Sequence, residues 1–384
     1  MSEEAPREGR RGAWVRRYRK GVIGGVALVL AAGAGCWAGG VGPFAEKDRY
    51  CWGAWEQDSG PGFLGKQAFS GGGTRTATSA APSAGSPRGT CTVTVRTSST
   101  ASGETIRYED VVSVGYGPVP GPAAERAAWL GEFLQGSAER LPGDLPGLAD
   151  ADRGMLVLPK ECDVEGRPAA VTLRTRSTGV SASGTSHSVV ATLGTGDIAK
   201  MLLAAAGRGM REAGCAPAGA LRLKTPFPTP EQDGHKARTA ESSPFPQGVC
   251  EITGLRAGEG EAYVWNQTGG DRRLQICSVT AAPRGGEPRA AGQFVAVSGL
   301  PRLQALFDGM GGEAAPGPGR RGKGTVGARS ALVRAGCGEG GIVFFQQLDA
   351  AMARAASPGP ERVFANGVRA AAARAGCAPV APVG

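Results

Sequence analysis

A chain of 384 residues with 41% apolar content is long enough for two ordinary domains, and its core-forming residues exclude wholesale disorder. The net charge is +9, but residues 1–20 hold seven basic side chains against three acidic ones, so the remaining excess is thinly spread. A basic flank beside an apolar run is a topology signal, which argues against nucleic-acid binding.

Reading from the N-terminus, residues 21–45 form a run of 25 without a charged side chain, where a helix needs about 20 to cross the hydrocarbon core of a bilayer. Arg7, Arg10, Arg11, Arg16, Arg17, Arg19 and Lys20 precede the run, and only Lys47 and Arg49 follow it closely. The positive-inside rule therefore makes residues 1–20 a basic cytoplasmic tail, residues 21–45 a transmembrane helix, and the rest extracytoplasmic. Two alternatives compete with this uncleaved signal-anchor. One is a cleaved signal peptide with its apolar stretch at 22–34. The other is a lipoprotein signal ending Gly33-Ala34-Gly35-Cys36, which carries Gly33 where such motifs want a branched apolar residue.

A first repeat is expected over 46–217. It opens on Tyr50-Cys51-Trp52-Gly53-Ala54-Trp55, conspicuous in a chain that is only 6% aromatic. Trp52 and Trp55 are the candidate binding surface, with packing of the indoles against a disulfide as the alternative. Residues 70–89, rich in Gly, Ser, Thr, Ala and Pro, read as a flexible insertion. Alternation predicts strands over 91–96 and 106–114. Pro118, Pro120 and Pro122 then lead into a helix over 123–139, with Trp129, Leu130, Phe133 and Leu134 at helical spacing. Further strands are expected at 155–158, 169–174 and 188–193, and a closing helix at 198–213. Residues 218–247, with Pro226, Pro228, Pro230, Pro244 and Pro246, read as an extended linker. A second repeat fills 248–384, with a flexible loop at 311–327. The mixture of strands and helices implies an α+β domain used twice in tandem.

The duplication rests on five landmarks in one order. Both closing helices end in Ala-Gly-Cys-Ala-Pro, at Cys215 and Cys377. Leu156-Val157-Leu158 before Cys162 corresponds to Ala331-Leu332-Val333 before Cys337. Leu130, Phe133, Leu134 and Gly136 correspond to Leu303, Leu306, Phe307 and Gly309. Val111-Val112-Ser113-Val114 resembles Phe294-Val295-Ala296-Val297, and Cys91 matches Cys277, which pairs Cys51 with Cys250. With Cys36 in the span, eight cysteines remain outside, an even number suited to an oxidising compartment. Four per repeat leave three pairings in each. The preferred set is Cys51–Cys91, Cys162–Cys215, Cys250–Cys277 and Cys337–Cys377.

No chemistry stands out. There is no CxxC spacing, and His187 and His235 are the only histidines, so neither a metal site nor a catalytic residue is assigned. Gly194-Thr195-Gly196-Asp197-Ile198-Ala199 matches the dinucleotide pattern GxGxxA, but reads better as a turn whose Asp197 caps the next helix, so no cofactor is expected. Arg320, Arg321 and Lys323 are candidates for touching anionic polymers or lipid headgroups, with a solvated loop as the alternative. The abundance of Gly, Ala, Pro and Arg is the bias of GC-rich codons, and in overall look the chain resembles the membrane-anchored exported proteins of actinobacteria. The expectation is a non-enzymatic membrane protein whose ectodomains bind a protein, cell-wall or small-molecule partner. The alternatives are an extracytoplasmic hydrolase using Asp/Glu residues, and a sensor ectodomain acting with a partner subunit.

Overall fold

The computed structural model describes residues 49–57, 73–101, 104–181, 186–189, 193–216, 221, 238–239, 248–258, 262–268, 272–282, 287–312, 322–338 and 340–377. The tail at 1–20 and the span at 21–45 lie outside them. Among the described residues no helix is long and apolar enough to cross a membrane.

The first half begins with a small ribbon, β1 (Arg49–Tyr50) and β2 (Trp55–Glu56). Next come β3 (Thr74–Ala80), β4 (Gly89–Ala101), β5 (Glu104–Pro118), helix α1 (Ala123–Phe133), β6 (Glu139–Arg140), β7 (Gly147–Ala149), β8 (Arg153–Val157), β9 (Ala169–Ser181), β10 (Ser186–Val189) and helix α2 (Thr195–Glu212). The second half runs β11 (Arg238–Thr239), β12 (Ala262–Gln267), β13 (Leu274–Ala282), β14 (Arg289–Ser298) and the short α3 (Pro301–Gln304), extended by a 3-10 turn over Ala305–Phe307. It ends with β15 (Lys323–Val326), β16 (Ser330–Ala335), β17 (Ile342–Leu348), α4 (Ala350–Ala355) and α5 (Pro360–Ala375).

The strands make two antiparallel sheets, ordered 3-4-5-9-8-7-6 with β10 beside β9, and 11-12-13-14-17-16-15. The two sheets are alike in size and topology. In each, a meander of three strands is followed by a helix, after which the last strand pairs beside the third. Strands of 13 to 15 residues against helices as short as four make the chain mostly β with some helices, a smaller helical share than an evenly mixed α+β domain.

Alternation along each strand separates two faces. On the outer face of the first sheet, Val93, Val112, Val114, Leu156 and Leu173 pack against Ile198, Leu202 and Ala205 of α2. On the second sheet, Val279, Phe294, Ala296, Val333 and Phe344 pack against Val363, Phe364 and Val368 of α5. Each of these helices puts a glycine on an aromatic ring. A methyl at Gly209 would stand 2.4 Å from Tyr116, and one at Gly367 2.6 Å from Phe294, so the helices seat this closely only because no side chain is there. The inner faces of both sheets share a third core, in which Leu130, Phe133, Met155 and Val157 join Ile276, Val295, Leu303 and Phe345. At about 1.5–3 kcal/mol for each large side chain buried, this shared core binds the halves strongly, and residues Arg49–Gly384 form one compact unit.

Four disulfides are present, Cys51–Cys91, Cys162–Cys215, Cys250–Cys277 and Cys337–Cys377. Each half therefore ties an opening turn to its second meander strand, and its closing helix to the end of the strand beside the last. The opening turns share an uncommon backbone, because Cys51 and Trp52 (φ 52° and 63°) and Cys250 and Glu251 (φ 60° and 58°) are all left-handed. The closing helices share a Schellman end, with Cys215 N–H donating to the Met210 carbonyl at 3.0 Å and Cys377 N–H to that of Ala372 at 2.9 Å.

Several sequence expectations need correction. The helix expected to reach 139 stops at Phe133. The backbone of Asn266 passes where a Gly136 side chain would be, 2.0 Å from an added methyl, and Glu139–Arg140 leave to pair with β7. Within the stretch read as a flexible insertion, residues 74–80 form β3, because alternating Thr74, Thr76 and Thr78 complete the edge of β4. The loop at 311–327 likewise yields β15, and the linker gives Arg238 and Thr239 to β12. Asp197 is not the cap of α2. Gly194 holds that position, and Asp197 lies within the first turn, 3.6 Å from Lys200.

The correspondence between halves is right by element and shifted in register. Cys91 pairs with Val114, as Cys277 does with Phe294, so Phe294 matches Val114 and not Val111. A slip of three exchanges the faces of a strand, and Val114 and Phe294 indeed both face their outer helices.

Candidate functional site

The corrected register exposes a feature of the inner faces. Across the first sheet a row of directly paired residues reads Thr92, Ser113, Arg174, Arg153. The equivalent row of the second sheet reads Ser278, Gln293, Gln347, Ser330. Each of these positions is polar; in the second sheet the row interrupts an apolar face of Ile276, Val295, Val297 and Phe345, whereas in the first Thr94, Thr172 and Arg176 share its face. Where the rows reach the ends of the shared core, the layers do not close.

Two cavities fill that gap. One, of about 620 Å³, lies between the exposed side of α1 and the second sheet, with Gly131, Gln135, Gln293, Gln347, Arg289 and Arg329 on its walls. The other, of about 480 Å³, lies over the first sheet against Ser113, Arg174 and Arg176. Both are lined by Glu132 and Arg153, so they adjoin at that pair, and the two together are termed the cleft.

Hydrogen bonds from the second sheet fix the end of α1. Ser278 Oγ accepts from Gly136 N–H at 2.9 Å, and Gln293 Nε2 donates to the Leu134 carbonyl at 2.5 Å. The second of these satisfies a carbonyl at the C-terminal end of α1 that the helix itself leaves open. Gln293 is only 6% exposed, and its Oε1 has no hydrogen-bond partner. An acceptor buried without a partner is costly, by roughly 1–3 kcal/mol.

The cleft is rich in arginine. Arg153, Arg174, Arg176, Arg289 and Arg329 line it against Glu132, Asp152 and Asp349. Each carboxylate is engaged. Glu132 meets Arg174 through two contacts of 2.5 Å, and the Arg174 guanidinium lies 4.9 Å from the Phe133 ring centre. Asp152 accepts from Arg153 at 2.9 and 2.6 Å, and that hydrogen bond raises the Arg153 pKa above its ordinary value. Asp349 pairs with Arg289 and caps α4 by accepting from Met352 N–H at 2.7 Å. Desolvation pushes the Asp349 pKa up, but the Arg289 and Met352 hydrogen bonds outweigh it and hold the carboxyl below its usual range. Arg176 and Arg329 have no carboxylate partner among the described residues.

The two tryptophans chosen from the sequence lie elsewhere. Trp55 is in the outer core, 3% exposed, with its indole N–H given to the Met201 carbonyl at 3.1 Å, so it offers no surface for binding. Trp52 is half-buried, edge-on to Tyr116 at 6.4 Å, and donates to the Ala80 carbonyl at 2.9 Å. Both pack around Cys51–Cys91 because an indole is the largest apolar cover for a disulfide at the sheet end. The Gly194–Ala199 turn lies outside both cavities. The backbone of His187 pairs with Gly179 in β10, while His235, Arg320 and Arg321 lie outside the described residues. Among the described residues no group of three His, Cys, Asp or Glu is placed to hold a metal.

No protein-family model matches the chain. No curated protein and no solved structure matches it either. The cleft residues escaped sequence reasoning because strand partners far apart in the chain assemble them. The available signal was a glutamine inside an apolar strand, as in Gln293 of Ala290-Ala-Gly-Gln-Phe-Val295 and Gln346-Gln347 after Phe344-Phe345.

Proposed function

We propose that the chain is a membrane-anchored extracytoplasmic binding protein, and that the cleft between its two sheets is the ligand site. The observation that carries this reading is the engagement of all three cleft carboxylates by arginines, which leaves none free as a general acid or base. A concave site with unsatisfied hydrogen-bonding capacity suits ligand binding. Four disulfides are compatible with an extracytoplasmic location. The anchor at 21–45 is part of the proposal on the strength of the sequence alone.

The test is incubation of the purified full-length chain with isolated cell envelope. The reading expects the protein to sediment with insoluble envelope material, to be released by salt, and to liberate no soluble fragments. Liberation of fragments by the wild type, abolished in Glu132→Gln, would make the chain a hydrolase instead.

A further inference from the structure

Resting on that reading, the ligand's chemistry can be drawn from what the cleft lacks. Gln293 Oε1 is a buried acceptor on the cleft wall without a donor. Gln347 is its direct partner across the β14–β17 ladder, and its own Oε1 is turned to the same place. A methyl built on Gly131 of α1 would stand 3.8 Å from Gln347 Oε1 and 4.0 Å from Gln293 Oε1, so both carbonyl oxygens converge below that glycine. Around them the charge is reversed, since Arg329 on the wall of the same cavity has no carboxylate partner among the described residues, and Arg176 adds a cation in the adjoining cavity. Two acceptors at the floor call for an N–H or O–H donor, and Arg329, whose Nε donates to the Leu348 carbonyl at 3.5 Å, keeps its terminal N–H groups for a carboxylate held by charge-assisted hydrogen bonds.

We propose that the cleft binds a small carboxylate ligand that also presents an N–H or O–H donor, the donor seated on Gln293 and Gln347 under Gly131 and the carboxylate facing Arg329. A peptide C-terminus and a sugar acid both carry this chemistry. Gly131 is the specificity-determining position, because a side chain there would stand against both oxygens and take the place of the ligand's donor.

The experiment is calorimetric titration of the full-length chain with four probes. N-acetyl-alanyl-alanine and glucuronate each carry both groups, acetate has the carboxylate alone, and glucose has donors alone. At least one of the first two is expected to bind tenfold or more tighter than acetate and glucose, and whichever binds names the source. Gly131→Ala places its methyl at ordinary contact distance inside a helix, so it should fold with undiminished stability and yet bind tenfold or more weakly. Arg329→Gln should weaken the acidic probe about tenfold and flatten its salt dependence. Glucose binding as well as glucuronate, with both lost in Gly131→Ala, would overturn the carboxylate assignment and leave the cleft a binding site. Tight binding unaffected by Gly131→Ala would overturn the placement, and silence of every probe would overturn this inference, whereas only failure to sediment with envelope as well would overturn the binding reading.

Discussion

Arg302 of the second half grips Asp163 of the first through two parallel hydrogen bonds of 3.0 and 2.5 Å, while its Nε donates to the Leu158 carbonyl at 2.8 Å. A reciprocal contact runs the other way, with Arg126 of α1 reaching the Asp308 carbonyl at 2.5 Å and that of Pro120 at 2.6 Å. Both arginines belong to the helix that follows the meander, so each half clasps the other with the same element. The side chains of Arg302 and Asp163 are about one-fifth exposed, and removal of either leaves the other charge poorly solvated. Arg302→Met is therefore expected to cost roughly 1–3 kcal/mol, with Arg302→Lys intermediate because a lysine cannot make the paired bonds. Calorimetric unfolding should also show the two halves melting in a single transition, as their shared inner core demands; two resolved transitions would refute it.

Gln346 makes a sharper case. It is 1% exposed, neither polar atom of its amide has a partner, and it lies on the outer face of β17 beside Phe294. The equivalent residue of the first half, paired with Val114, is Leu173. Gln346→Leu should raise stability by about 1–3 kcal/mol, since it removes two unsatisfied buried groups from a site whose counterpart already holds a leucine. Denaturant titration measures this, and a loss of stability would mean that the amide is satisfied in solution.

Tyr116 predicts a response to alkali. Burial raises its pKa from 10.0 to about 12, with the hydroxyl 3.3 Å from Cys215 Sγ and donating toward it. A phenol whose folded pKa is raised contributes stability that is fully present below the unfolded value and is lost as pH rises through the folded one. Stability should thus fall between pH 10 and pH 12, by roughly 2–3 kcal/mol in total, and the fall should be absent in Tyr116→Phe. Short exposures followed by denaturant titration, comparing the two proteins at each pH, separate this effect from thiol exchange.

The disulfides give a direct chemical test. A non-reducing peptide map of the purified protein should contain the four observed pairs, and an intact N-terminus would favour the proposed uncleaved anchor. Replacing Cys337 and Cys377 by alanine opens a loop with a sequence separation of 40 and should cost about 3–4 kcal/mol in the chain-entropy model. Free thiols throughout the wild-type chain would contradict an oxidising location.

Much of the fold can be read from local chemistry. The Gly-Cys-Ala-Pro endings mark both closing helices, since Gly214 and Gly376 take the left-handed turn (φ 72° and 71°) that a Schellman end requires. Apolar alternation marks β4, β5, β8 and β9, and the matching cysteine order marks the duplication. The register of the two halves is not legible in this way, because Val111-Val112-Ser113-Val114 and Phe294-Val295-Ala296-Val297 are alike by composition, and only strand pairing decides which residues are equivalent.

The sequence alone determined the C-terminal ends of the two closing helices, most of the strands, the order of repeated elements and a sensible cysteine pairing, all of which depend on neighbours within a turn or on a short list of alternatives. Only the tertiary structure decided that the halves share one inner core, that Trp55 belongs to packing, and that Ser278, Gln293 and Gln347 stand in a row facing Glu132 and Arg153. Those relations are set by backbone pairing between strands far apart in the chain, and by which face of each strand a neighbouring layer covers. Nothing in a residue's own surroundings in sequence encodes either.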